Sequence, residues 1–111
     1  MDGLQAIQQL NDLQQDLTKT INLMGVQGQE LSEAERDYKV VLRKAALLLR
    51  DEGMAATLIN LTVYGIPDVA DLRQKRDFAQ SRYEVSREKI MALKLNIRVL
   101  EGIISREWGR E

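Results

Sequence analysis

Residues 67–108 read PDVADLRQKRDFAQSRYEVSREKIMALKLNIRVLEGIISREW, and apolar side chains recur there in alternating steps of three and four. The resulting stripe has eleven positions, nine of them apolar or tyrosine: Val69, Leu72, Arg76, Ala79, Tyr83, Ser86, Ile90, Leu93, Ile97, Leu100 and Ile104. This alternation is typical of coiled-coil-like packing. Pro67 suits a first helical turn, where its missing N–H needs no partner. We predict a helix over about 67–108, with Arg106 in its last turn and Gly109 as its stop.

The first half of the chain has the same character in two pieces. One stripe comprises Leu10, Leu13, Leu17, Ile21 and Met24, and the next comprises Leu31, Ala34, Tyr38, Val41, Ala45 and Leu48. Gly25 and Gly28 lie between them, and each costs about 1 kcal/mol relative to alanine inside a helix. Ser32 and Glu35 have the spacing of a capping box. The pattern predicts a helical arm over about 2–52 with a kink or break near 25–31, ending at Gly53.

The connector, 53–67, holds fifteen consecutive uncharged residues in a chain that is 30% charged. It is too apolar for a solvated loop, and we predict a short helix capped by Thr57 and ended by Gly65. Its β-branched residues leave a strand as the alternative. This segment either docks on the two arms or meets a partner, and its candidate partner-binding residues are Leu58, Ile59, Leu61, Val63 and Tyr64.

A second apolar row runs along the second arm. Phe78, Val85, Ala92 and Val99 recur every seven residues beside the main stripe. A helix with one neighbour leaves such a row in water, so we predict that it forms an oligomer interface, most simply in a homodimer. The alternative is a monomer whose N-terminal segment folds back over the row. The predicted fold is an all-α single domain, 1–111: a long antiparallel helical hairpin with a short connecting helix, assembled into an oligomeric bundle.

The residue types argue against catalysis. The chain has no cysteine and no histidine, so disulfides and the usual zinc and transition-metal ligands are absent from the sequence. The carboxylate pairs Glu33–Asp37 and Asp68–Asp71 have no partner base nearby in the pattern. Glycine-rich phosphate loops are also missing. We therefore expect no catalytic, cofactor-binding or metal-binding residues, no cofactor, and a protein that is not an enzyme.

The charges leave two interpretations open. The formal net charge is −1, which gives no global attraction to nucleic acid. Basic residues nevertheless run along the second arm: Arg73, Lys75, Arg76, Arg82, Arg87, Lys89, Lys94 and Arg98. They either pair with acidic residues across the helix interface or form a nucleic-acid-binding flank, which would lack the interleaved aromatics used for base stacking.

The N-terminus lacks a basic region followed by an apolar run, and the uncharged connector is shorter than the roughly 20 residues that span a bilayer. We expect a cytoplasmic protein that does not enter a membrane.

Several short motifs, taken together, resemble small helical proteins of temperate phages and prophages of Gram-positive bacteria. The matching positions are Tyr38-Lys39, Leu49-Arg50-Asp51-Glu52-Gly53, Thr57-Leu58-Ile59, Val69-Ala70-Asp71-Leu72 and Arg106-Glu107-Trp108. The resemblance covers roughly residues 31–109. The relatives often carry proline near Ala55 and polar residues near Val63 and Tyr64, so this connector is more apolar. The resemblance implies an early phage gene near replication and recombination genes, expressed in a host bacterial cell, and implies no particular reaction.

The favoured hypothesis is a non-enzymatic phage accessory protein that binds a protein partner in DNA replication or recombination, or in host takeover or inhibition of host defence. The alternatives are nucleic-acid binding along the basic flank of the second arm and a purely structural coiled-coil role.

Overall fold

The computed structural model describes residues 2–108 and shows an all-α helical hairpin, which confirms the predicted fold class. Helix α1 spans Gly3–Asp51, α2 spans Ala56–Thr62, a 3-10 turn spans Val63–Gly65, and α3 spans Pro67–Trp108. Strands are absent from the described part of the chain. The predicted stop at Gly109 lies outside the described residues.

Packing divides the described chain into two compact units, and both long helices contribute to each. The terminal unit consists of 2–26 and 84–108, and the connector unit consists of 27–83. In the terminal unit, Asp16 of α1 pairs with Lys89 of α3. In the connector unit, Glu30 of α1 lies beside Arg82 of α3. The prediction of one domain over 1–111 stays a prediction.

The stripe predicted on α3 is confirmed. From 67 to 101, its positions are the ones that α3 buries or half-buries, and the positions between them are exposed. Val69 is fully buried, and Ala79, Leu93 and Leu100 are at most 6% exposed. The two polar stripe members follow the same rule, because Ser86 is buried and Arg76 is half-buried. Position in the alternation, rather than residue type, decides burial along this helix.

Helix α1 is unbroken through Gly25 and Gly28. Of the predicted kink or break near 25–31, the break is therefore wrong, and the kink stays a prediction. The physical reason is that its buried positions also keep one alternation of three and four across the glycines, by way of Met24, Gln27 and Leu31. Helical stability in proteins comes mainly from such a packed face, which outweighs the weak propensity of two glycines.

Two stripe positions on α1 also differ from the prediction. Thr20 is 3% exposed, whereas the predicted Ile21 is 47% exposed. The Thr20 hydroxyl donates a 2.7 Å hydrogen bond to the Asp16 carbonyl, so this polar group is satisfied within its own helix. At the other end, Leu49 is half-buried and the predicted Leu48 is exposed.

The ends of α1 have defined caps. At the N-terminus, the Gln5 N–H donates to Asp2 Oδ1 at 2.8 Å, which makes Asp2 a capping residue. At the C-terminus, Met54 N–H donates to the Leu49 carbonyl and Gly53 N–H donates to the Arg50 carbonyl. This is the Schellman arrangement, and Gly53 supplies the left-handed backbone it requires, with φ of 88°. The predicted stop at Gly53 is confirmed.

The connector is helical, as predicted, but its N-cap differs. Ala55, rather than Thr57, is the N-cap of α2, and its carbonyl accepts from the Leu58 and Ile59 N–H groups. The helical segment ends at Gly65, as predicted, and Ile66 is its C-cap. Ile66 is extended, with ψ of 127°, because the following proline disfavours helical backbone before it. Pro67 then opens α3 as predicted.

The glycines of α1 give a matched pair of stability tests. A Cβ added at Gly25 meets nothing within 4 Å, whereas one added at Gly28 lies 3.2 Å from Cε2 of Tyr83. We expect Gly25→Ala to raise the free energy of unfolding by about 1 kcal/mol, because alanine has the higher helix propensity. Gly28→Ala should gain clearly less, since the Tyr83 ring must shift. Thermal melts followed by circular dichroism measure both, and equal gains would contradict the close approach at Gly28.

Candidate interaction surfaces

One side of the connector is anchored in the core of the connector unit. Ile59, Val63 and Ile66 follow a helical spacing, and Val63 is 3% exposed. Val63 belongs to a cluster with Tyr38, Ala45 and Val69, and Ile66 packs against that cluster. These contacts dock the connector against α1 and the start of α3. Of the five residues predicted to bind a partner, Val63 is therefore a core residue, and Ile59 is half-buried.

The other side of the connector is exposed. Leu58, Leu61 and Tyr64 recur every three residues, and their exposures are 53%, 79% and 45%. The guanidinium carbon of Arg73 lies 5.4 Å from the centre of the Tyr64 ring, which is a cation–π distance. We call Leu58, Leu61 and Tyr64 the connector face. The sequence alone did not separate these three residues from Ile59 and Val63, although the helical spacing was the available signal.

A shallow groove lies elsewhere on the connector unit, between the end of α1 and the start of α3. Its volume is about 430 Å³, and its lining is mainly apolar: Val41, Ala45, Leu48, Leu49, Ile66 and Val69. Lys44, Glu52 and Asp68 also line it. Leu48 reaches this groove because it is 63% exposed rather than part of the inner stripe. The sequence analysis missed the groove, because it assigned Leu48 to the core.

A basic residue in the stripe of α3 is explained by an aromatic neighbour. The guanidinium carbon of Arg76 lies 4.7 Å from the centre of the Tyr38 ring, and Tyr38 is 6% exposed. Arg76 also donates to Asp77 Oδ1 at 2.8 Å through Nη2. The guanidinium thus keeps an ion pair while its face covers the ring, which is how an arginine fits a mostly apolar stripe.

Two of the basic residues of α3 face acidic residues of α1. In the terminal unit, Lys89 Nζ lies 3.2 Å from Asp16 Oδ1. In the connector unit, Arg82 Nη2 lies 4.0 Å from Glu30 Oε2. These pairs are half exposed, so each contributes little to stability, but they show that this flank is used within the hairpin. The pairing interpretation of the basic residues accounts for these two positions.

The second apolar row of α3 lies in water. In the terminal unit, Val85 and Val99 are 69% and 53% exposed, and Ala92 between them is exposed as well. In the connector unit, Phe78 is 57% exposed. The row is therefore left uncovered by the described part of the chain. The structure adds Met91 and Leu95, at 58% and 57% exposure, which the sequence analysis did not include.

The described residues contain no group of three or more acidic, histidine or cysteine side chains arranged to hold a metal ion. Among these residues, no helix combines the length and the apolar character needed to cross a membrane.

Comparison with known proteins returned no relative: no protein-family model, no curated protein and no solved structure matches the chain. The resemblance to phage proteins stays a prediction that rests on the short motifs.

Truncating a side chain should affect the free energy of unfolding strongly on the buried side of the connector and hardly at all on its exposed side. Val63→Ala should lower the free energy of unfolding by about 2 kcal/mol, because it removes buried methyl groups from a filled core. Leu61→Ala should change it by less than about 0.5 kcal/mol, because that side chain is already in water. Urea denaturation measures both. A large loss at Leu61 would show that this side chain is buried in the native protein.

Proposed function

We propose that this chain is a non-enzymatic phage accessory protein that binds a protein partner through its connector face. The partner acts in phage or host DNA replication or recombination, or in host defence that the phage must overcome. The observation that carries the proposal is the division of the connector into an anchored side and an exposed apolar side. Three adjacent apolar positions held in water on a docked element are typical of a binding surface.

Because Val63 anchors the connector in the core, the connector face is already ordered before a partner binds. Val63 and Val69 are buried together in the core of the connector unit, so the short helix α2 does not depend on its own weak stability. A partner that binds Leu58, Leu61 and Tyr64 therefore meets a surface that is already ordered. Less conformational entropy is lost on binding than if the connector were a flexible loop.

The phage assignment rests on the resemblance of motifs in 31–109, and the cytoplasm of the infected cell is the compartment it implies. The amino-acid composition supports a binding role, because the sequence has neither histidine nor cysteine to serve as a nucleophile, base or metal ligand.

Self-association is the second part of the proposal. Val85, Ala92 and Val99 form an exposed row along one side of α3. Burying a valine side chain fully is favourable by about 1.5–3 kcal/mol, so covering the row stabilises an assembly. We propose that copies of the chain associate as a homodimer or higher oligomer through this row.

A comparison of two equally exposed leucines tests the connector face. Leu61 and Leu4 are 79% and 78% exposed, and they lie in different units. Wild type, Leu61→Ser and Leu4→Ser are used as baits in extracts of infected host cells, and captured proteins are quantified by mass spectrometry. We expect one or more proteins of replication, recombination or defence to be held by wild type and Leu4→Ser, and lost by Leu61→Ser.

Equal capture by all three baits would overturn the assignment of the connector face, provided that the melting temperatures agree. Binding of single- or double-stranded DNA at low salt that weakens steeply as salt rises would instead favour the nucleic-acid alternative.

A further inference from the structure

We propose that the connector face binds an acidic segment of its protein partner, in which carboxylate side chains lie beside apolar ones. This inference rests on the proposed function of the connector face and adds the chemistry of the partner. It is carried by three exposed arginines on the connector side of the connector unit that form no ion pair among the described residues: Arg43, Arg50 and Arg73. We call these three arginines the basic rim.

Arg73 places a positive charge at one edge of the connector face. Its guanidinium carbon lies over the Tyr64 ring, 5.4 Å from the ring centre. An arginine held in this way keeps N–H groups that can donate to a carboxylate. Asp77, one turn further along α3, does not use these groups, because it pairs with Arg76 at 2.8 Å. The charge of Arg73 is therefore available to a partner that binds the connector face.

Arg43 and Arg50 lie on the side of α1 that the connector covers. Leu42 and Ala46 mark this side, because they lie outside the inner stripe and are half-buried against the cluster that includes Val63. Arg43 precedes Ala46 by three residues, and Arg50 follows it by four. Residues at these spacings are neighbours on one side of a helix. The two arginines thus add positive charge along the α1 edge of the connector.

Two acidic residues on the connector side are already paired. On α1, Lys39 Nζ lies 3.4 Å from Glu35 Oε1, and on α3, Arg76 Nη2 lies 2.8 Å from Asp77 Oδ1. Each of these pairs joins residues of one helix and balances its own charge. Neither pair compensates the charge of the basic rim.

The remaining acidic residues of the connector unit are on the groove side, away from the connector. Lys44 and Leu48 line the groove between α1 and α3, and they lie two residues before and after Ala46. About 200° of rotation around α1 therefore separates each of them from Ala46. A second groove continues along that side, because Asp37 in its lining is seven residues before Lys44. Together the two grooves are lined by five acidic residues: Glu30, Glu33, Asp37, Glu52 and Asp68.

Helical spacing places the other two acidic residues of this unit there as well. Asp51 is seven residues after Lys44, and Asp71 is three residues after Asp68. The grooves also hold basic residues, Lys44 among them. Charges of both signs therefore mix on the groove side, whereas positive charge is in excess on the connector side.

The combination of leucines and arginines selects the class of partner. Leu58 and Leu61 have no group that binds a phosphate or stacks on a base, so a nucleic acid bound at the basic rim would leave them in water. A protein segment with leucine or phenylalanine beside aspartate or glutamate instead covers the leucines and pairs its carboxylates with the basic rim. Charge complementarity of this kind also excludes basic segments.

A library of random peptides displayed on yeast cells tests the chemistry of the partner. The peptides are selected on the full-length wild-type protein, and the enriched sequences are read. We expect aspartate and glutamate to be enriched beside leucine, isoleucine or phenylalanine, and lysine and arginine to be depleted. Leu61→Ser should lose the enriched peptides, which would assign them to the connector face.

Arginine variants then test the basic rim with one enriched peptide. Arg73→Gln should weaken its binding about fivefold, which is the value of one partly exposed ion pair. Arg87→Gln is the matched control and should bind as wild type does. Arg87 is exposed, belongs to no ion pair of the described residues, and lies fourteen residues further along the same side of α3 in the other unit. All variants are compared at equal melting temperature.

Reversing the charge of the rim gives an independent measurement. Selection on the triple variant Arg43→Glu, Arg50→Glu and Arg73→Glu should enrich lysine and arginine in place of aspartate and glutamate, because the complementary charge has changed sign. An unchanged preference for acidic peptides would show that the basic rim does not contact them.

The outcomes separate this inference from the proposed function on which it rests. Peptides that depend on Leu61 but show no preference for acidic residues, or equal binding by Arg73→Gln and wild type, would overturn the acidic segment and leave the connector face standing. Absence of any peptide that depends on Leu61 would also overturn the acidic segment, while capture by the Leu61→Ser and Leu4→Ser baits still decides on the connector face. DNA retained at low salt by wild type and lost by the triple variant would assign the basic rim to nucleic acid instead.

Discussion

Two helices that pack against each other can bury only one stripe of side chains apiece, and the arrangement of this chain follows from that constraint. In each unit the buried positions of α1 and α3 advance by three and four residues, and even Thr20 and Ser86 are buried because they occupy stripe positions. Most side chains of α1 and α3 outside the stripes are exposed, whatever their chemistry, and the connector core half-buries only a few of them, such as Leu42 and Ala46. The apolar residues that remain exposed are therefore the candidate surfaces through which such a hairpin binds another molecule.

The stripe of α3 was predictable because apolar or tyrosine side chains occupy all but two of its positions. The stripe of α1 was not, since Thr20 and Gln27 interrupt the apolar pattern and two glycines lie close by. Residue type pointed to Ile21 as the buried position and to a kink or break at the glycines. The alternation of three and four residues instead makes Thr20 the buried position and α1 a continuous helix. The connector was predictable as a short helix, but its buried and exposed sides were not. Five of the seven residues in 58–64 are apolar or aromatic, so polar residues do not mark one side as the exposed one.

The two candidate surfaces arise in different ways. The connector face exists because Val63 fixes α2 to a core and leaves the opposite side of a seven-residue helix in solvent. The second apolar row of α3 exists because a long helix repeats apolar side chains every seven residues on a second side. A surface of the first kind suits a partner that differs from this chain, whereas a row of apolar side chains along a long helix suits a second helix.

The contact between Arg76 and Tyr38 also bears on how the helices find their alignment. A hairpin with a regular repeat can slide by one heptad, about 10 Å at 1.5 Å per residue, and still bury apolar side chains. Such a slip would bring the level of Arg76 from Tyr38 to Leu31 or Ala45, where no aromatic ring receives the guanidinium. It would likewise move the Tyr83 ring away from Gly28, where the missing side chain gives it room. The cation–π contact of Arg76 and the space at Gly28 thus make the pairing shifted by one heptad less stable than the native pairing of α1 with α3.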